Sequence, residues 1–171
     1  GHGENANKIS SMVLSLVKSM FEVGLDDELI IQSVNKLLVP AGLDNFTTID
    51  ACVIDLEKEV CNFIKLGSSV SVIKHKNTSE IISSDSLPMG IVSCIKPTII
   101  KKQISYGDAI FLASDGVVDS FSSIEEYKHF INDSKIYNLQ KFADNLVFDA
   151  GFQNTKHPDD MTVIAINLLK N

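Results

Sequence analysis

The sequence contains no tryptophan and only three tyrosines, four prolines and three cysteines in 171 residues. It has no apolar run approaching the ~18 residues that span a bilayer, and no stretch that reads as a signal peptide. No cluster of basic side chains exceeds a pair such as Lys101-Lys102, and the net charge is −7. A basic face for nucleic acid is therefore not expected, because such binding rests on neutralising phosphates. The cysteines, Cys52, Cys61 and Cys94, are odd in number and show no C-x-x-C spacing. That argues against a disulfide framework, and there is no ligand cluster for zinc. Each lies in or beside an apolar run, so buried, reduced thiols in a cytoplasmic protein are expected. A membrane anchor elsewhere in a longer parent protein is left open.

What is present is ordinary for a soluble domain: 44% hydrophobic and 22% charged residues. The length suits one domain, residues 1–171, with a real core. Ile9, Met12, Val13, Leu16, Val17, Met20 and Phe21 recur at helical spacing, predicting a helix over about Asn5–Val23, ended by Gly24. Asp26 can cap a second helix that stops before Pro40. The segments TTIDACVIDL, EVCNFIKLG and SVSVIKHKN then read as an antiparallel meander. SEIIS, PTIIKKQIS and DAIFLASDG read as further strands, with the Pro/Gly loop SSDSLPMGIV among them. Two helices follow. One starts near Ser122 with Glu125 as a capping-box partner, and one runs over about Leu139–Ala150 until Gly151. MTVIAINLL closes the chain as a strand. Antiparallel strands with grouped helices indicate an α+β layered domain.

Three stretches invite a chemical reading. GHGENA, at residues 1–6, fits the glycine pattern of a dinucleotide-binding turn. That motif needs a preceding strand and a parallel sheet, and neither is indicated. In IFLASDGVVDS, a buried strand runs directly into Ser114-Asp115-Gly116. A carboxylate on so rigid a support suits a hard cation. In HPDDMTVIAI, Asp159 and Asp160 immediately precede a strand. Alternatively, Asp115 closes a turn and Asp159-Asp160 is a solvated loop. Spacing alone does not decide between these. Asp119 fits a turn or cap, His129 a helix surface, His75 a hairpin tip and His157 a structural role.

LASDGVVDS, HPDDMTV, KLGSSVSVI and SLPMGI occur together and in order, and as a set resemble the PPM (type 2C) metal-dependent serine/threonine phosphatases. They are most similar to the bacterial branch that includes the stage II sporulation protein E and the stress-response sigma-factor phosphatases. The resemblance implies an α/β/β/α sandwich and two Mn²⁺ or Mg²⁺ ions. Between them these activate a water for in-line attack on a phosphoserine or phosphothreonine. By the same resemblance Asp115 and Asp159 match catalytic metal-ligand positions, with Gly116 and Asp160 supporting. Gly1 and Gly3 look like the tail of the family's first metal motif, and His2 would lie near substrate. That motif's Asp and an earlier strand pair would lie upstream of Gly1, so these 171 residues are expected to bind metal weakly and to be nearly inactive.

The resemblance further implies a phosphorylated protein substrate, an anti-sigma factor antagonist, with no membrane contact by this domain. In such relatives the helices behind the first metal loop also form a regulatory switch, which would involve Leu16, Met20 and Phe21. Open strand edges would leave homodimerisation, swapping or aggregation available. The competing reading is a non-catalytic pseudophosphatase that keeps the fold and binds a partner. A receiver-like phospho-acceptor at Asp115 would need a parallel βα alternation that the pattern lacks.

Overall fold

The computed structural model describes residues 4–41, 46–153 and 159–169. In chain order the elements are α1 (Glu4–Glu22), α2 (Asp27–Leu38), β1 (Ile49–Asp55), β2 (Val60–Leu66), β3 (Ser71–Lys74), β4 (Ser79–Ile82), β5 (Thr98–Gln103), β6 (Ala109–Ala113), α3 (Asp115–Val118), α4 (Ile124–Asp133), α5 (Leu139–Gln153) and β7 (Val163–Asn167). The strands form two sheets, ordered β1-β2-β5 and β4-β3-β6-β7. The chain groups into two compact units, each assembled from three separate stretches.

The first unit comprises residues 1–53, 62–68 and 84–100. Its core joins Ile9 and Val13 of α1 to Ile31, Val34 and Leu38 of α2, and to Ile64, Leu66, Met89 and Ile95. Gly24 ends α1 with φ +80°. Its N–H bonds to the Phe21 carbonyl at 2.9 Å, and Leu25 N–H bonds to that of Met20 at 3.2 Å. This paired closure requires a left-handed residue after the helix. Asp26 caps α2 by accepting the Glu28 and Leu29 amides at 2.9 and 3.4 Å. Farther along α2, buried Asn35 donates to the Val92 carbonyl and accepts the Gly90 amide, at 2.9 and 2.8 Å, so it holds the loop after Met89.

Gly67 shows why the K-L-G and L-P-M-G segments occur together. Its φ is +59°, and a Cβ there would lie 2.5 Å from Cγ of Pro88. Lys65, fully buried in β2, donates from Nζ to Oδ1 of Asp50 at 2.8 Å. Burial pulls the Lys65 ammonium below its ordinary value of 10.5, against the opposing hydrogen bond and charge of Asp50.

The second unit comprises residues 54–61, 69–83 and 101–171. All five residues of β6 are buried, which explains their unbroken apolar run. The strand lies between antiparallel β3 and β7, with Phe111 opposite Val72 and Ala165. Phe111, Tyr127, Ile131 and Leu146 lie in one buried cluster with α3–α5 packed around it. The Phe111 and Phe142 rings meet edge to face at 5.5 Å. Lys74 donates to the Ile131 carbonyl at 2.9 Å and also to that of Asn132, closing the α4 C-terminus. His75 stands at the β3–β4 turn as expected, with its amide on Thr78, and its Nδ1 lies 3.0 Å from the Asp108 carboxylate.

Several expectations need correction. The strands do not form one continuous meander, because β2 and β3 lie in different sheets, separated by the left-handed Gly67. The α4 cap falls one residue later. Ser123 accepts the Glu126 amide at 3.1 Å, and Glu126, rather than Glu125, reaches back to the Ser122 amide at 2.8 Å. Gly151 does not end α5, which runs to Gln153. No left-handed residue is needed there, and the Phe148–Phe152 ring pair, 4.7 Å apart, staples the last turn. Only Cys61 is buried; Cys52 is half-buried and Cys94 exposed, because Cys94 sits in a loop from which Ile95 takes the core position. Met12 and Phe21 are exposed on α1, so its apolar stripe is core only along Ile9 and Val13, flanked by Leu16, Val17 and Met20.

Candidate active site

The last β6–β7 pair is Ala113 with Val163. Because these strands are antiparallel, the end of one and the start of the other share a sheet edge. The two acidic segments of the sequence leave the sheet there. Ser114 extends the pairing by one step, its N–H bonding to the Thr162 carbonyl at 3.0 Å. Its hydroxyl donates to the Asp160 carbonyl and accepts the Thr162 amide, both at 3.0 Å. Asp115 then opens α3, with the Asp119 amide bonding to its carbonyl at 2.8 Å. Asp119 is thus the helix-end residue, in the turn role expected for it.

Gly116 is where the segments come closest. A Cβ on it would lie 2.8 Å from the Asp160 carbonyl oxygen and 3.2 Å from Cβ of Asp159. Backbone cannot retreat from such a contact as a flexible side chain could, so only glycine lets Asp115 and Asp159 become neighbours. Asp115 Oδ1 accepts the Gly116 amide at 3.0 Å, and Asp159 Oδ1 accepts the Asp160 amide at 2.8 Å. These local bonds orient each carboxylate. The second oxygen of each has no partner among the described residues. Asp115, Asp159 and Asp160 are all exposed, and no basic side chain pairs with them among the described residues.

Carboxylates at one sheet edge without a counter-charge are donors suited to a hard divalent cation. Asp115 and Asp159 fit that role as two oxygen ligands at one sheet edge. Among the described residues, no group of three or more His, Cys, Asp or Glu side chains is arranged to hold a metal ion. Gly1, His2, Gly3 and His157, also assigned from the sequence, lie outside the described residues. No helix among the described residues is long and apolar enough to cross a membrane.

Sequence reasoning found the acids and Gly116 but missed the Ser114 link. A serine before Asp-Gly reads as a helix cap, and nothing local in the sequence shows that its hydroxyl crosses to another strand. The buried Lys65–Asp50 pair was missed too, although a lysine inside the apolar run FIKL was a signal.

The stage II sporulation protein E family model matches residues 1–169. The stage II sporulation protein E of Priestia megaterium is 32% identical over 178 residues, covering 100% of this chain and 30% of that protein. That of Bacillus subtilis (strain 168) is 27% identical over 177 residues, covering 100% of this chain and 21% of that protein. The chain therefore spans less than a third of these relatives. The solved structure of the PP2C phosphatase domain and a fragment of the regulatory domain of the Bacillus subtilis protein superposes with a TM-score of 0.87. It is 26% identical, and the match covers 98% of this chain and 52% of that one. With mixed helices and antiparallel sheets matching that phosphatase domain, the chain belongs to the stage II sporulation protein E family.

Proposed function

We propose that this chain forms part of the catalytic domain of a metal-dependent protein serine/threonine phosphatase. The observation that carries this reading is the meeting of Asp115 and Asp159 across Gly116, at 2.8 Å from the Asp160 backbone to a Cβ that is not there. Mn²⁺ or Mg²⁺, when bound, would supply a hydroxide near neutral pH and offset charge on the phosphoryl group. Asp115 and Asp159 would provide carboxylate oxygens for the cation. Gly116 keeps the two acidic segments in contact, and Asp160 contributes its backbone carbonyl to the link with Ser114. Bare carboxylates would repel a phosphate dianion, so these residues favour substrate only once their charge is compensated.

The domain reading extends to residues 1–171 as one catalytic module continued upstream in the longer protein, where the family's first metal motif would stand. Gly1, His2 and Gly3 are assigned to the end of that motif. The substrate class is a phosphorylated regulatory protein of the anti-sigma factor antagonist kind, in the cytoplasm, in keeping with the family.

The test is Mn²⁺-dependent release of phosphate from a phosphoserine protein. It compares this chain with a form extended upstream through a D-G-M motif, each beside its Asp115→Asn variant. Activity in the extended form that the substitution abolishes supports the reading. A folded extended form without activity overturns it and favours the partner-binding pseudophosphatase.

A further inference from the structure

We propose that Ser114 is a positioning residue for the metal-binding carboxylates, its hydroxyl locking the Asp159-Asp160 segment against the Asp115-Gly116 segment. The inference rests on the phosphatase reading above. Ser114 has the extended backbone of a helix cap, φ −68° and ψ 161°, yet makes no side-chain cap bond to α3. A serine in that place ordinarily spends its oxygen on the first free amides of its own helix. Here the oxygen is spent across the sheet edge. It donates to the Asp160 carbonyl and accepts the Thr162 amide, both at 3.0 Å.

With the Ser114 amide on the Thr162 carbonyl at 3.0 Å, three hydrogen bonds join the segments beyond the last strand pair. A single oxygen used as donor and acceptor fixes both the separation and the rotation of the opposite strand. The Asp160 carbonyl it holds is the atom that would meet a Cβ on Gly116 at 2.8 Å. Ser114 and Gly116 thus act on one atom from two directions: the hydroxyl draws it in, and the missing side chain lets it arrive. The result is a set spacing between residues 115 and 159 without either carboxylate being touched.

Mn²⁺ titration of the chain, followed by water-proton relaxation well below the melting temperature, tests this with Ser114→Ala, Ser114→Thr, Ser114→Cys and Asp115→Asn. Alanine loses both hydroxyl bonds, threonine keeps them, and cysteine keeps the size while weakening both. Ser114→Ala is expected to weaken Mn²⁺ affinity about tenfold, with threonine restoring it and cysteine falling between, as for partners that orient metal ligands. A merely structural role would lower the melting temperature and leave the affinity of the folded variant unchanged, and that result overturns the proposal. Should the alanine variant not fold, cysteine and threonine decide. Parent-like affinity in the cysteine variant, or a tenfold loss in a folded threonine variant, overturns it. If the parent chain and Asp115→Asn bind Mn²⁺ equally, the metal-site reading itself fails, whatever Ser114 does.

Discussion

Gly116 and Lys65 show how single residues can be constrained in opposite ways, one by the absence of a side chain and one by the burial of a long one. Replacing Gly116 with alanine places a methyl 2.8 Å from the Asp160 carbonyl oxygen. The two segments must then part. The expected cost is about 2 kcal/mol, in the range for overpacking, read from urea denaturation of Gly116→Ala, with loss of any Mn²⁺-dependent activity. Lys65 is a different case, since its burial depresses the ammonium from 10.5. The unfolded chain then holds more protons than the folded one between the depressed value and 10.5, so stability rises with pH across that window. Below it, the cost of burying the charge is present in full. Lys74, depressed by burial with Asp133 opposing, contributes in the same direction. Urea midpoints at successive alkaline pH values should rise less steeply in Lys65→Met than in the parent chain. An unchanged slope would remove Lys65 from this account.

Secondary-structure elements are where the sequence was most legible, and where its limits have identifiable causes. Both N-terminal helices, seven strand segments, α4 and α5 were readable, because periodicity and turn residues act over a few positions; the four-residue α3, too short to show a period, was not. Gly24 and Asp26 carried their signals locally, and the structure bears both out. Which strands share a sheet was not readable, since β2 and β3 are neighbours in sequence but belong to different sheets. The register of the α4 cap was ambiguous, because Ser122 and Ser123 each stand three residues before a glutamate. The structure assigns the side-chain cap to Ser123. Ser123→Ala should therefore cost about 1 kcal/mol, and Ser122→Ala much less, because Ser122 offers only its backbone amide. Equal losses in thermal denaturation would contradict that assignment. At the candidate site the acids were visible as residue types beside strands. Their adjacency depends on the pairing of β6 with β7, two strands about fifty positions apart, and no local pattern encodes it.

At the scale of the whole molecule, the 15 basic residues are all lysines. The chain thus has no guanidinium to grip a phosphate with two parallel hydrogen bonds, the geometry in which arginine excels. With a net charge of −7 as well, the phosphatase reading has phosphate attracted by bound cations, lysine point charges and backbone amides rather than by a bidentate side chain. For the phosphatase reading, kcat/KM of the upstream-extended form toward a phosphopeptide flanked by glutamates should rise as NaCl is added, because salt screens the mutual repulsion. For a lysine-flanked peptide it should fall. Steady-state assays at fixed Mn²⁺ concentration would check both, and the same salt response for the two peptides would count against electrostatic selection.

The way each unit is stitched from three stretches has a consequence for anyone who handles the gene. The polypeptide passes between the units five times, within β1, β2 and β5 and in the segments that follow β2 and β4. No single pair of start and stop codons delimits either unit, so neither can be expressed as an uninterrupted piece. Deletions within residues 1–53 or within 101–171 would cut one unit alone, but any that reached farther would cut both, and a ribosome would have to deliver residue 100 before the first unit had all its parts.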